Sequence, residues 1–139
     1  MKAACSMIHI AYQLDKSDKH GIGLFANENI RKGQLVYTAS SVLDVNISPE
    51  QFETLNEREK HEVRYWGFWD EANGVWHVDF DVTRFINHSF QPTLTQDSAH
   101  TDAYLITTRD VKKGEELTQN YIEFETEEDL KRRGIPINQ

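Results

Sequence analysis

Long apolar runs are missing from this chain of 139 residues, and so is almost all cysteine. No stretch approaches the roughly 20 apolar residues that a membrane-crossing helix needs. Met1 to Tyr12 lacks the uninterrupted apolar core and small-residue cleavage site of a secretory signal. Cys5 is the only cysteine. That excludes an intramolecular disulfide and a cysteine-rich zinc cluster, and it fits a reducing compartment. The histidines show no His-x-x-x-His or comparable ligand spacing, and the acidic residues are scattered among expected surface positions, so no metal site is expected. Repeats, low-complexity linkers and a visible domain boundary are absent too. Positive charge is in deficit: 15 Lys and Arg stand against 23 Asp and Glu, a net −8. This argues against general attraction to nucleic acid or anionic membranes and would suit a basic protein partner. Solubility alone is the simpler explanation of the charge taken by itself.

What is present is ordinary soluble-protein composition, 38% hydrophobic and 27% charged, in a length that supports one compact domain over residues 1–139. Ile8, Ile10, Tyr12 and Leu14 alternate with Met7, His9, Ala11 and Gln13, a half-buried strand pattern. Gly21-Ile22-Gly23 leads into the short apolar run Leu24-Phe25-Ala26, and Leu35 to Val45 reads as one long extended segment. Ser48-Pro49-Glu50-Gln51 combines an N-cap serine, a first-turn proline and a capping-box glutamine. Phe52, Leu55, Val63 and Trp66 give the helix that follows an apolar stripe ending near Gly67. A hairpin is expected around Asn73-Gly74, its second strand carrying Trp76, Val78 and Phe80 on one side. Asp81 to Asp102 reads as loop, Tyr104 to Thr108 and Glu116 to Tyr121 as strands, with a turn at Lys112-Lys113-Gly114. A last helix is capped by Thr126, has acidic residues in its first turn, and is stopped by Gly134 and Pro136. The fold class is mainly β with short helices.

Three segments can carry chemistry, and each has an innocent reading. Gly21-Ile22-Gly23 can let backbone approach a ligand or simply turn the chain, and no third glycine completes a dinucleotide fingerprint. In Arg84-Phe85-Ile86-Asn87-His88-Ser89, the Asn-His-Ser run offers donors and acceptors to a polar ring, or closes its own turn. Gly114 to Tyr121 reads as turn and strand, with Tyr121 a half-buried sheet tyrosine.

In this order, however, the three segments resemble the motifs of the SET-domain protein-lysine methyltransferases. His20-Gly21-Ile22-Gly23-Leu24-Phe25-Ala26 is similar to the family's first motif. Arg84 to Ser89 matches its Arg-Phe-Ile-Asn-His-Ser core, and Gly114 to Tyr121 its Gly-Glu-Glu-Leu-Thr-x-x-Tyr ending. The resemblance runs from about Ile8 to Tyr121, with an insert at about 47–80 and a C-terminal segment at about 122–139. It implies a β-clip-like fold of small sheets with a C-terminal pseudoknot, which ordinary topology rules would not anticipate. It also implies S-adenosyl-L-methionine as cofactor and S-adenosyl-L-homocysteine as product. His20, Gly21, Ile22, Gly23, Arg84, Phe85, Asn87, His88 and Tyr121 would bind the cofactor, and Tyr121 would stand at the reaction centre. Gln119, Tyr121 and Phe124 would line the substrate channel, Phe124 and the last helix completing it or, as a plain alternative, packing the core.

The implied substrate is a lysine of a basic, histone-like protein, reached without nucleic-acid or membrane binding. A cytoplasmic location is expected, with export into a host left open, as is the oligomeric state, dimer included. Phe90-Gln91-Pro92-Thr93 replaces the family's frequent Cys and Pro-Asn continuation, and no cysteine-rich flanks are present, as in minimal bacterial or viral members. Gln119 stands where many members carry Phe or Tyr, which leaves the number of methyl groups added undetermined. It also keeps open an alternative: a weak or inactive SET-like module that binds a peptide or ligand.

Overall fold

The structure, a computed structural model, describes residues 7–137. The reading of Met1 to Tyr12 as no secretory signal therefore falls in part, over Met1 to Ser6, outside the described residues. The chain forms two compact units, each built from two separate stretches: Met1–Ser41 with Phe85–Asn120, and Val42–Arg84 with Tyr121–Gln139.

The first unit is a seven-stranded sheet. Its strands are β1 (Tyr12–Lys16), β2 (Ile22–Ala26), β3 (Leu35–Thr38), β7 (Asn87–His88), β8 (Leu94–Gln96), β9 (Tyr104–Thr107) and β10 (Glu116–Gln119). The order is β1-β2-β10-β8-β9-β3, with β7 also pairing β10. Leu24 and Leu117 face each other across β2 and β10 and are both fully buried, as are Val36 and Leu94. Each such side chain contributes about 1.5–3 kcal/mol of burial, so the core of this unit lies along β2, β10, β8 and β3. The expected N-terminal strand is shifted. Ile10 is buried and Ile8 forms an isolated bridge with Tyr37, whereas Tyr12 and Leu14, expected on the inner face, are exposed. The cause is position: β1 is an edge strand paired only with β2, and all five of its residues are exposed.

The stretch expected as loop after Asp81 holds β7 and β8, both parallel to β10. Strands of two and three residues show no periodicity, and β10, which both pair, lies far along the chain, although β8 also pairs the nearby β9, so local pattern cannot reveal them. The extended segment Leu35 to Val45 is likewise not continuous. It ends as β3 at Thr38 and resumes as β4 (Asp44–Ile47), which belongs to the second unit.

In that second unit a three-stranded sheet runs β4-β6-β5, with β5 Phe68–Asp70 and β6 Val75–Asp79. The hairpin between β5 and β6 uses a four-residue turn, in which the Asn73 amide donates to Asp70 at 2.8 Å. The capping box at Ser48 forms as expected: Gln51 N donates to Ser48 Oγ at 3.1 Å and Ser48 N to Gln51 Oε1 at 2.9 Å. Yet α1 stops at Glu53, and a second helix, α2 (Glu57–Trp66), begins behind Asn56. A second capping box makes the break, Asn56 and Glu59 exchanging bonds of 2.9 Å. Thr126 caps α3 (Glu127–Arg132). Phe52 stacks on Trp76 at 5.2 Å, and the buried Asp129 carboxylate accepts from Trp69 N at 2.8 Å. No helix among the described residues is long and apolar enough to cross a membrane.

Candidate functional site

Within the first unit, the glycine segment and the Asn-His strand come together. β10 lies between them, antiparallel to β2 through Leu117↔Leu24 and parallel to β7 through Thr118↔Asn87 and Gln119↔His88. Gly21 sits at φ 47, the left-handed region that favours glycine. A Cβ there would meet nothing within 4 Å, so this bend of main chain faces open space. Gly23 is the reverse case. A Cβ on it would collide with the Glu116 carboxylate and stand 3.1 Å from Ser17 Cβ.

Asn87 is buried, and its terminal nitrogen lies 2.9 Å from His20 O, 3.3 Å from Ile22 O and 2.9 Å from Glu116 Oε2. Three oxygens around one atom fix it as the donor end of the amide. Asn87 therefore holds the His20 to Ile22 backbone in place. Ser17, outside the motifs, and Glu116, inside the third motif but given no role by it, belong to the same cluster: Ser17 Oγ donates to both Glu116 oxygens at 2.8 and 2.9 Å. The available signal was Glu116 itself, a carboxylate on a strand beside the fully buried Leu117.

His88 packs edge-on against Phe90 at 4.5 Å, and burial holds its imidazole below the ordinary histidine range, favouring the neutral ring. Ser89 N donates to Gln119 O at 2.9 Å, placing Gln119 next to the Asn-His strand. Phe85, next to them in the chain, is half-buried. Beside Glu116 an open polar cleft of about 430 Å³ sets Lys16, Lys19 and Arg109 against Asp18, Glu115 and Glu116. The three cations and three carboxylates balance, so the cleft offers no net field to an anion.

The second unit holds the remaining expected residues. Tyr121 is not on the last strand, which ends at Gln119; it opens a 3₁₀ turn, Tyr121–Glu123. This corrects the expected strand to Tyr121. Its carbonyl accepts from Phe124 N at 3.1 Å and Glu125 N at 2.9 Å, which curls the chain out of the extended form. The ring lies 5.4 Å from Phe124, and the Arg133 guanidinium lies 5.7 Å from its centroid. Arg133 is held in turn by Glu125 at 2.7 Å, whose carboxyl burial pushes up against the opposing pull of Arg133. Phe124 also meets Phe68 at 5.0 Å. Arg84 is exposed and places its guanidinium 5.3 Å from Trp66 and 5.7 Å from Phe80.

A separate cluster was invisible in the spacing of the histidines. The register of β4 on β6 sets Asp44 opposite Asp79 and Asn46 opposite His77. Asp44, His77 and Asp79 each offer a ligand atom within 4.8 Å of the others, a set that could in principle hold a cation. His77 Nε2 lies 2.7 Å from Asp79 Oδ1 and 4.0 Å from Asp44 Oδ1, while Nδ1 is 2.9 Å from Asn46. Burial, with the Asp79 charge next to it, pushes Asp44 up to about 6, and the bond to Asp79 raises His77. The three groups thus influence one another's protonation.

Comparison with known proteins agrees with this geometry. The SET domain family matches residues 21–122. A curated relative, the variant-silencing SET domain-containing protein of Plasmodium falciparum (isolate 3D7), is 26% identical over 118 residues, 78% of this chain but 5% of its own length. Among solved structures, an apo ctPRC2 carrying two mutations in Ezh2 superposes with a TM-score of 0.65 at 27% identity, covering 89% of this chain and 16% of that one. An active polycomb repressive complex 2 in the basal state gives 0.61 at 28% identity, covering 81% and 15%. The chain therefore spans only a small part of the length of each. The mainly β, curled-sheet fold is that of the Ezh2 SET neighbours. With the matched segment covering most of the chain and bringing the glycine bend, the Asn-His strand and β10 into one sheet, this protein belongs to the SET-domain family.

Proposed function

We propose that the chain is a protein-lysine N-methyltransferase that uses S-adenosyl-L-methionine and acts on a lysine of a basic, histone-like protein. One observation carries the reading: the glycine bend is pinned to the Asn-His strand through Asn87, inside a SET-family match. The bend fits a close-lying cofactor, because Gly21 exposes main chain with no side chain in the way. The backbone of His20, Gly21, Ile22 and Gly23, together with Asn87 and the main chain of His88, would hold it, with Arg84 and Phe85 lining its ring. When bound, the cofactor supplies an electrophilic methyl on a sulfonium and leaves as S-adenosyl-L-homocysteine.

The chain's own residues have two tasks. A lysine amine with an ordinary value near 10.4 is only about one part in 10³ neutral at pH 7, a deficit of roughly 4–5 kcal/mol. Apolar surroundings lower that value by disfavouring the ammonium, and the Phe68, Tyr121 and Phe124 rings supply such surroundings in the second unit. The Tyr121 hydroxyl would then orient the amine lone pair toward the methyl carbon. The amine proton would pass to solvent, and the alignment of the lysine nitrogen by Tyr121 would supply most of the acceleration. Gln119, beside the Asn-His strand, would help set how many methyl groups are accepted. The net charge of −8 favours encounter with lysine- and arginine-rich segments.

The test is mass spectrometry of basic proteins and histone-like peptides after incubation with enzyme and isotopically labelled cofactor. Lysine methylation that falls at least about a hundredfold in Tyr121→Phe is expected. Cofactor binding by calorimetry without any transfer would instead favour a SET-like binding module, and no binding at all would remove the methyltransferase reading.

A further inference from the structure

The catalytic reading makes no use of Glu116, yet its carboxylate joins the two side chains, Ser17 and Asn87, that hold the glycine bend. Both of its oxygens accept from Ser17 Oγ, at 2.8 and 2.9 Å, and Oε2 also accepts from Asn87 Nδ2 at 2.9 Å. Each of these donors passes the hold on to the bend. Ser17 Oγ accepts from Lys19 N at 2.9 Å and His20 N at 3.3 Å, and Asn87 Nδ2 reaches His20 O and Ile22 O. Gly23 closes the third side, since a Cβ there would fall 2.9 Å from the carboxyl carbon. Beyond the ladder with β1 and the turn bond from Ser17 N to Gly21 O, these bonds tie residues 17–23 to a single side chain 99 positions from Ser17.

We propose that Glu116 is the positioning residue of the cofactor loop and that its charge, not only its shape, performs that role. The groups turned toward it are donors: a hydroxyl and an amide NH₂. Ser17 Oγ cannot reverse its role cheaply, because two backbone N–H groups already occupy its acceptor side. An amide in place of the carboxylate, even with its oxygen where Oε2 accepts from both donors, would turn its own NH₂ toward Ser17 Oγ, whose acceptor side is already taken, and leave that NH₂ unmatched. Asp would keep the charge but fall one methylene short. The expected order of function is therefore Glu, then Asp, with Gln as poor as Ala. This inference takes its functional readout from the methyltransferase reading, so a second readout that needs no cofactor accompanies it.

The experiment uses the full chain, wild type and the variants Glu116→Asp, Glu116→Gln, Glu116→Ala and Ser17→Ala. Affinity for S-adenosyl-L-methionine is measured by calorimetry, KM and kcat on a basic peptide, and amide hydrogen exchange over residues 17–23. Glu116→Gln should weaken cofactor binding about ten- to a hundredfold and raise its KM equally, with kcat at saturating cofactor changed less than about threefold. Lys19 and His20 amides should exchange faster, and Glu116→Asp should recover part of both effects. Cofactor affinity in Glu116→Gln within about twofold of wild type, or unchanged exchange across the bend, overturns the inference. If wild type binds no cofactor, the methyltransferase reading fails by itself, and the exchange data still decide for or against Glu116. If Glu116→Ala does not fold, Glu116→Gln and Ser17→Ala carry the decision.

Discussion

Replacing Asp44 by Asn should make the second unit more stable, and by about 1 kcal/mol more at pH 7.5 than at pH 5. Asp44 is 16% exposed, and burial beside Asp79 pushes its carboxyl from 3.8 to about 6. A raised folded-state value means that the native chain keeps a proton the unfolded chain has released. The resulting stabilisation is complete below 3.8 and is lost as pH rises through about 6. Between pH 5 and 7.5 the loss integrates to about 1.4 kcal/mol, which solvent screening of a partly exposed group brings to about 1 kcal/mol. His77, also raised, adds a loss of the same sign, whereas His88, lowered by burial in the first unit, works in the opposite direction. Comparing Asp44→Asn with wild type at each pH removes the His88 contribution, while that of His77 shrinks in the variant, because Asp44 is one of the charges that raise it. Asn mimics the protonated acid, so the gap between the two proteins should widen by about 1 kcal/mol, roughly 3–4 °C in Tm, from pH 5 to pH 7.5. Tryptophan fluorescence is the suitable probe, because Trp66, Trp69 and Trp76, all the tryptophans of the chain, lie in the second unit. Parallel stability profiles for the two proteins from pH 5 to 7.5 would refute the reasoning.

Two further substitutions probe the two units separately. Gly23→Ala should cost about 1–3 kcal/mol and weaken cofactor binding, because the new methyl collides with the Glu116 carboxylate and Ser17; a variant with wild-type melting and affinity would show that β2 shifts freely. Phe124→Ala should lose turnover on a lysine peptide at temperatures where its tryptophan signal is still native, if Phe124 shapes the lysine site. A fall of about 1–3 kcal/mol in stability with full turnover below the melting transition would assign it to packing against Phe68 alone.

Legibility in the sequence followed the range of the interactions. Ser48 with Gln51 and Thr126 ahead of α3 act over three or four residues, so their residue types announce the helix starts without reference to the rest of the chain. The second capping box, Asn56 with Glu59, was equally local; the apolar stripe through Phe52, Leu55, Val63 and Trp66 masked it by running across the break. The family motifs were legible for the same reason, as runs of adjacent residues. Tyr121 was placed on the wrong element because a strand pattern gives no warning of where the chain curls off it.

The sequence by itself determined the helix caps, the turn glycines, the mainly β class and the family, since each is written in neighbouring residues or in their order. Only tertiary structure decided that β7 and β8 exist, that Glu116 reaches Ser17 and Asn87, and that Asp44 and Asp79 face each other with His77. Those contacts join residues tens of positions apart, and strand register, which slides by whole residues until the full sheet is packed, chooses them.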